Sequence, residues 1–222
     1  MAVFVVTGTR TGIGLETVLQ LAASPSNTVV AIVRDLGVDI LSLREIKTNS
    51  NGTVHIVECD ISKPASISGL VGLRRHPAFQ GQTSRNLTAE SLIEHFMSNA
   101  VGPALVTQAL IPHLAPGAVV ANVTSGAGSL TMLSEGRIAA EFTPYSISKT
   151  ALNMLTVHQA KQLKSEAIVV AIDPGHVKTV RGGPKAVVEV EASAKGVIEI
   201  VKGLRPEDSG KFLLYNGTEL PW

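Results

Sequence analysis

Short apolar runs alternate along the chain with apolar positions at helical spacing. Residues 2–6, AVFVV, form a β-branched run of the kind buried on both faces of a sheet. After a glycine-rich turn, Leu15, Val18, Leu19 and Ala22 follow helical spacing. Residues 28–33, TVVAIV, read as a second buried strand; Leu41, Leu43 and Ile46 as a helix; residues 53–58, TVHIVE, as a third strand. Ser91 to His113 reads as one long helix, with Ile93, Phe96, Ala100 and Ala104 along one side. Residues 118–124, AVVANVT, are a strand, and Pro144 to Leu163 is a second long helix with Leu152, Leu155 and Gln159 in register. Strands at 167–173 (AIVVAID) and 211–215 (KFLLY), with a helix over Val187–Val201 between them, close the chain. Buried strands alternating with helices imply right-handed crossovers. The expected fold is α/β, a doubly wound, Rossmann-like parallel sheet with helices on both faces.

Between Asp60 and Leu92 the alternation falters. A helix near Pro64 to Leu73 runs straight into HPAFQGQTSRNLT, with no convincing strand. The segment GLVGL (69–73) could stand in, but only the nine residues from Asp60 to Ser68 precede it. A parallel crossover takes about a dozen residues or more. Omitting the strand would leave neighbouring N–H and C=O groups unpaired, which is costly. A short improvised strand, a contracted sheet and a poorly folding protein are the three outcomes. The expectation is the improvised strand, with a central fourth strand that is abridged and a damaged helical layer.

Composition narrows the function. At 222 residues, with no linker or composition break, the whole of 1–222 reads as a single dinucleotide-binding domain with an integrated substrate site. Hydrophobic residues make up 45% and charged ones 17%, enough for a sizeable core and for a surface that favours oligomers. With a net charge of +1 and scattered Lys and Arg, neither nucleic acid nor an anionic membrane is the expected partner. The lone Cys59, at the end of TVHIVEC, reads as a buried structural thiol. MAVFVVTGTR passes directly into strand and turn, and no apolar run is long enough for a bilayer, so a soluble cytoplasmic protein is expected. The six histidines lack ligand spacing, which argues against a metal site, and His113 suits a helix C-terminus.

Candidate chemistry begins at residues 7–14, TGTRTGIG, between the first strand and first helix. Gly8 permits the tight turn, Gly12 lets backbone approach a pyrophosphate, and Gly14 allows close helix–strand packing. The helix N-terminus offers free N–H groups to phosphate. An ordinary glycine-rich connection is the bland alternative. At the end of the second strand, Arg34, helped by Arg10, is placed to clamp a 2′-phosphate. Otherwise Arg34 is a solvated side chain beside Asp35, which could itself bond a ribose. Asp60, ending the third strand, either accepts from an adenine amino group or caps the following helix.

Tyr145 and Lys149 in TPYSISKTALNML lie four residues apart, on one helix face. An ammonium one turn from a phenol favours the phenolate and suits it to acid–base work, and the lysine can also hold ribose hydroxyls. Such a pair alone often decorates a helix surface. Here it follows a strand ending in Thr124–Ser125, whose hydroxyl could bond a substrate carbonyl. Ser125 lacks the nucleophile-elbow pattern of a hydrolase.

The glycine turn, Ser125, Tyr145, Lys149 and DPGHVKT (173–179), in this order, resemble the short-chain dehydrogenase/reductase family over nearly the whole chain. The resemblance implies NADP(H) held by Gly8, Arg10, Thr11, Gly12, Ile13, Gly14, Arg34, Asp60, Tyr145, Lys149, Pro174, Gly175, Val177 and Thr179. Tyr145 would give a proton to a carbonyl oxygen, Ser125 polarise that carbonyl, and Lys149 bind ribose and tune Tyr145. Asn99 matches the helix asparagine of a water-linked proton relay, or else satisfies backbone at an irregularity before Gly102–Pro103. Thr179 is otherwise a plain loop residue. The ending SGKFLLYNGTELPW is similar to the branch of sniffer-like carbonyl reductases and norsolorinic acid ketoreductase. That branch implies a ketone on a hydrophobic, secondary-metabolite-like small molecule, and the family resemblance implies a dimer or tetramer formed through the long helices.

Two departures stand out. The family's fourth strand ends in an Asn-Ala-Gly motif, and none occurs here; the SNA of Ser98–Ala100 belongs to the helix. Twenty positions separate Ser125 from Tyr145, an enlarged loop that either shapes a pocket or is a tolerated insertion. NADPH-dependent ketone reduction is the leading function. A redox-neutral isomerase, dehydratase or cyclase on the same scaffold, and a non-catalytic nucleotide binder, are its rivals.

Overall fold

The computed structural model describes residues 2–63, 66 and 82–222. They fall into two compact units. The first holds residues 2–60, 66 and 176–198; the second holds 61–63, 82–175 and 199–222.

In the first unit β1 (Ala2–Thr7), β2 (Asn27–Val33) and β3 (Val54–Glu58) form a parallel sheet with β2 in the middle. Register sets Phe4 against Val29 and Val29 against Val54. Helices α1 (Gly12–Ala22) and α2 (Leu41–Asn49) follow the first two strands. Val18 and Leu21 of α1 and Leu43 of α2 pack with Val29, Ala31, Val33 and Val54 into one core cluster. Burying each such valine or leucine stabilises the unit by about 1.5–3 kcal/mol.

One expectation fails in β1. Phe4 and Val6 pack on that core, but Val3 and Val5 are 66% and 40% exposed, so the strand is not buried on both faces. Successive strand residues point to opposite faces, and the core covers one face only. Among the described residues β1 has a ladder with β2 alone.

In the second unit β4 (Ala118–Val123), β5 (Ala167–Asp173) and β6 (Phe212–Leu214) form another parallel sheet with β5 central. Ala167 to Ile172 are all buried, as a strand flanked on both edges should be. Among the described residues β4 has a ladder with β5 alone. The expected helix over Pro64–Leu73 and the stand-in strand at 69–73 lie outside the described residues.

The single helix expected from Ser91 to His113 is instead a run of four segments. These are α3 (Ala89–Phe96), a π turn at Met97–Val101, α4 (Gly102–Leu110) and a 3-10 turn at Ile111–His113. Thr88 caps α3, its hydroxyl accepting the Ser91 N–H at 3.2 Å. The cause of the π turn lies in Pro103, which has no N–H for the carbonyl of Asn99, so the helix cannot keep its regular ladder there. Gly102 is pressed against backbone as well: a Cβ would fall 2.4 Å from the Ile61 carbonyl oxygen.

The enlarged loop is partly regular, with a 3-10 turn at Gly126–Gly128 and a short helix α5 (Leu130–Ser134). Helix α6 (Thr143–Gln162) follows close to its expected bounds. The last helix, α7 (Val190–Gly203), starts later than Val187, because Val188 is held in a bridge to Val177, its carbonyl accepting the Lys178 N–H at 2.8 Å. Among the described residues no helix is long and apolar enough to cross a membrane.

Candidate active site

The glycine turn sits in the first unit. Gly8 and Gly12 adopt φ of +71° and +60°, a region that side chains other than glycine rarely enter. Gly14 is needed for contact: a Cβ there would lie 2.4 Å from the Gly8 carbonyl oxygen and 3.2 Å from the Thr9 Cα. Its tight packing is therefore against the turn itself. The turn is tied to β2 by Thr9, fully buried, whose N–H and hydroxyl both donate to the Ile32 carbonyl, at 3.3 and 3.0 Å. Thr11 occupies the cap position of α1 with extended backbone and no side-chain cap bond. Arg10 and Ile13 are half-buried beside it.

Arg34, just past β2, directs its Nε at the buried Asp60 carboxylate, 3.6 Å away. Asp35 turns elsewhere, accepting the Gly37 N–H at 2.7 Å. The Asp60 N–H donates to the Ser66 hydroxyl at 2.9 Å. Next to it Cys59 is buried, and that burial pushes its thiol up from the ordinary value. The structural reading of Cys59 agrees with this.

Residues 176–188 close over the same turn. Val177 is buried and bridges to Val188, while Thr179 Cγ2 lies 3.2 Å from where a Gly12 Cβ would sit. Thr179 also accepts the Gly182 N–H at 3.1 Å, a local turn within the loop. Lys178 is held by Glu189.

The second unit brings together Tyr145, Lys149, Ser125 and Asn99, the residues expected to do acid–base work. Lys149 Nζ stands 5.7 Å from the Tyr145 ring centroid and donates to the Val123 carbonyl at 2.8 Å. Ser125 follows two residues after Val123, and its Oγ accepts the Ala127 N–H at 3.2 Å. The turn that starts at Ser125 packs directly on α6, since a Cβ on Gly128 would fall 2.8 Å from the Lys149 carbonyl carbon. Asn99, inside the π turn, donates to the Ser148 hydroxyl at 3.0 Å, and that hydroxyl donates to the Tyr145 carbonyl at 2.7 Å. Asn99 thus sits at the irregularity expected before Gly102–Pro103, and its side chain reaches a hydroxyl rather than backbone. The His95 ring lies edge-on to that of Tyr145, with centroids 6.3 Å apart.

Several residues of this site carried no role in the sequence reading. Thr124 donates to Asn153 Oδ1 at 2.6 Å, and Asn153 donates onward to the Gly128 carbonyl at 3.1 Å. Asn122 donates to Thr156 and Gln159, at 3.0 and 2.9 Å. A buried asparagine inside the apolar run AVVANV, and an asparagine one turn beyond Lys149, were the available signals. Asp173 accepts from both Gly126 and Gly175, the latter at φ +83°, beside Pro174. Thus Pro174 and Gly175 stand with the acid–base residues, and Val177 and Thr179 with the glycine turn. Among the described residues no group of three or more His, Cys, Asp or Glu could hold a metal.

The sequence model of the short chain dehydrogenase family matches residues 78–186. C-signal of Myxococcus xanthus is 43% identical over 130 residues, which cover 57% of this chain and 76% of that protein. Short-chain dehydrogenase srdF of Neurospora crassa is 31% identical over 248 aligned residues, covering 98% of this chain and 96% of that one. That alignment is longer than the chain's 222 residues, so srdF has residues with no counterpart here. Norsolorinic acid ketoreductase nor1 of Dothistroma septosporum is 28% identical across 99% of the chain and 92% of its own length. Among solved structures, NADPH-bound carbonyl reductase from chicken fatty liver superposes with a TM-score of 0.87 at 29% identity, covering 99% of this chain and 94% of that one. Carbonyl reductase Sniffer of D. melanogaster has the same α/β fold, with a TM-score of 0.87 at 24% identity over 100% and 99% of the two chains.

Proposed function

The chain belongs to the short-chain dehydrogenase/reductase family, and from that premise we propose that it is an NADPH-dependent oxidoreductase reducing the carbonyl of a hydrophobic small molecule. The observation that carries this reading is the placement of Tyr145 on one face of α6 with Lys149 above its ring and the Asn99–Ser148 link beneath its backbone.

The residues present fit the cofactor. Two glycines of positive φ and an α1 start without a side-chain cap leave backbone N–H groups for a pyrophosphate. Arg34 and Arg10 supply cations of the kind a 2′-phosphate takes. Gly8, Arg10, Thr11, Gly12, Ile13, Gly14, Arg34 and Asp60 would hold the adenosine and phosphate end. Pro174, Gly175, Val177 and Thr179 would line the nicotinamide end. When bound, the nicotinamide supplies hydride to the carbonyl carbon.

The remaining work falls to side chains. Ser125 Oγ already accepts from Ala127, so its own O–H is the group to donate to the substrate oxygen. Tyr145 gives its phenolic proton to that oxygen as negative charge develops there. Lys149 stabilises the phenolate left behind and holds ribose hydroxyls. Asn99 positions the water that returns a proton to the site. The whole chain acts as one dinucleotide-binding domain. It assembles as a dimer or tetramer, for which the exposed Ile93, Phe96, Ile147 and Met154 on α3 and α6 supply apolar surface.

The test is titration of the purified protein with NADPH and NADH by nicotinamide fluorescence, then a ketone panel with wild type and Tyr145→Phe. Preferential NADPH binding, NADPH oxidation with a ketone, and loss of turnover with intact binding in Tyr145→Phe are expected. Retained reduction by Tyr145→Phe would remove the tyrosine from its role. Binding of neither nucleotide would end the reductase reading.

A further inference from the structure

The β4–β5 ladder ends where the Thr124 N–H donates to the Ile172 carbonyl at 2.8 Å. Beyond it both strands turn out of the sheet, β4 into Ser125–Gly126 and β5 into Pro174–Gly175. Backbone N–H groups released there need another acceptor. Asp173, the last residue of β5, supplies it with both carboxylate oxygens. Oδ1 accepts the Gly175 N–H at 2.8 Å, closing an Asx turn, and Oδ2 accepts the Gly126 N–H at 2.7 Å across the sheet.

The second bond is the unusual one. It reaches 47 residues back in sequence to the amide immediately after Ser125. A Cβ on Gly126 would lie 3.1 Å from the same Oδ2 and 3.2 Å from Met132 Cε, so a side chain there would have to displace the ends of both. The Asp173 backbone is fixed in turn, its carbonyl accepting the Tyr215 N–H at 2.8 Å. One charged group on the central strand therefore sets two turns at once, through bonds stronger than those of a neutral acceptor.

We propose that Asp173 is a positioning residue, whose two bonds hold the Ser125 turn and the Pro174–Gly175 turn in the one arrangement that aims the Ser125 hydroxyl. This rests on the reductase reading for its kinetic consequence, though not for the hold itself. Asparagine at this position keeps one acceptor oxygen and sets an NH2 group against the other N–H. The two turns then part, and displacing a positioned group by about an ångström can cost up to roughly 100-fold in rate.

The test is a double-mutant cycle of Asp173→Asn with Ser125→Ala, read as kcat with NADPH and the best ketone, beside NADPH titration and amide hydrogen exchange at Gly126 and Gly175. If Asp173 acts through Ser125, Asp173→Asn lowers kcat by about tenfold or more in wild type, by less than about twofold in Ser125→Ala, and leaves NADPH affinity within about threefold. An equal penalty in both backgrounds overturns the proposal, because a merely structural loss is indifferent to Ser125. Where wild type reduces no ketone, the reductase reading fails alone, and exchange judges the hold. Faster exchange of both amides in Asp173→Asn upholds it, and unchanged exchange overturns it. Asp173→Ser, which keeps a single short acceptor, serves if the asparagine variant does not fold.

Discussion

The Lys149 ammonium stands one helical turn above Tyr145, 5.7 Å from its ring centroid, and is held there by the Val123 carbonyl at 2.8 Å. The end of β4 that leads into Ser125 thus also holds the lysine. Removing the charge withdraws stabilisation from the phenolate formed as the proton leaves. Lys149→Met is expected to lower kcat by about 10²–10⁴-fold, the usual range for acid–base assistance. Lys149→Arg keeps a charge but carries it on a larger planar group that does not fit the Val123 contact, so recovery should be partial. Steady-state rates at saturating NADPH check both, and full activity in Lys149→Met would exclude the lysine from the chemistry.

Gly14 offers a separate test of the nucleotide turn. Alanine there would set its methyl 2.4 Å from the Gly8 carbonyl oxygen, with rigid backbone on both sides. Overpacking of this kind costs about 1–3 kcal/mol. Gly14→Ala should therefore lower the melting temperature and weaken both nicotinamide cofactors together. A variant with wild-type stability and cofactor affinity would show that the turn tolerates the methyl and that its close packing is incidental.

Burial holds the Cys59 thiol above its ordinary value, outweighing the hydrogen bond to Ser66 that lowers it, and the charge of Asp60 adds a smaller upward push. Since the thiolate is the nucleophile, a raised value leaves less of it at neutral pH. Modification of native protein by a soluble disulfide reagent at pH 8 should be at least about tenfold slower than in denaturant, with one thiol reacting on unfolding. Fast native modification would refute the structural role.

The parts of the site legible in sequence are those fixed by local chemistry. Gly8 and Gly12 were readable because positive φ selects glycine, and Tyr145 with Lys149 because four residues make one helical turn. Most buried strands followed from short β-branched apolar runs, as with Ala167–Asp173, and most helices from their period. The fates of long-range polar groups were not readable. Nothing near Asp173 announces that its second oxygen crosses to Gly126, and nothing near Arg34 favours Asp60 over the adjacent Asp35. The π turn around Asn99 was visible only as a proline in a helical pattern. The exposure of Val3 and Val5 depends on what lies beside β1, and an apolar run carries no record of its neighbours.

Arg34 has an ion pair in the structure and a separate role proposed toward the cofactor, and the two can be told apart. It is the ion partner of the fully buried Asp60, so Arg34→Leu leaves a carboxylate in the interior without that partner. Breaking a buried pair from one side can cost about 3–5 kcal/mol, and the part-exposed arginine places this pair at or below the low end. The same substitution removes the cation proposed for the 2′-phosphate, where a charged hydrogen bond contributes about 1.5–3 kcal/mol, or roughly ten- to a hundredfold in affinity. Arg34→Leu with Asp60→Asn removes the stranded charge. The double variant should melt nearer to wild type than Arg34→Leu while still failing to prefer NADPH over NADH. Asp60→Asn alone should affect the two cofactors equally, since both carry the same adenine. Melting curves and paired titrations of the three variants decide it, and a single variant Arg34→Leu that keeps the wild-type ratio of NADPH to NADH affinity would release Arg34 from cofactor selection and leave it as the counter-ion of Asp60.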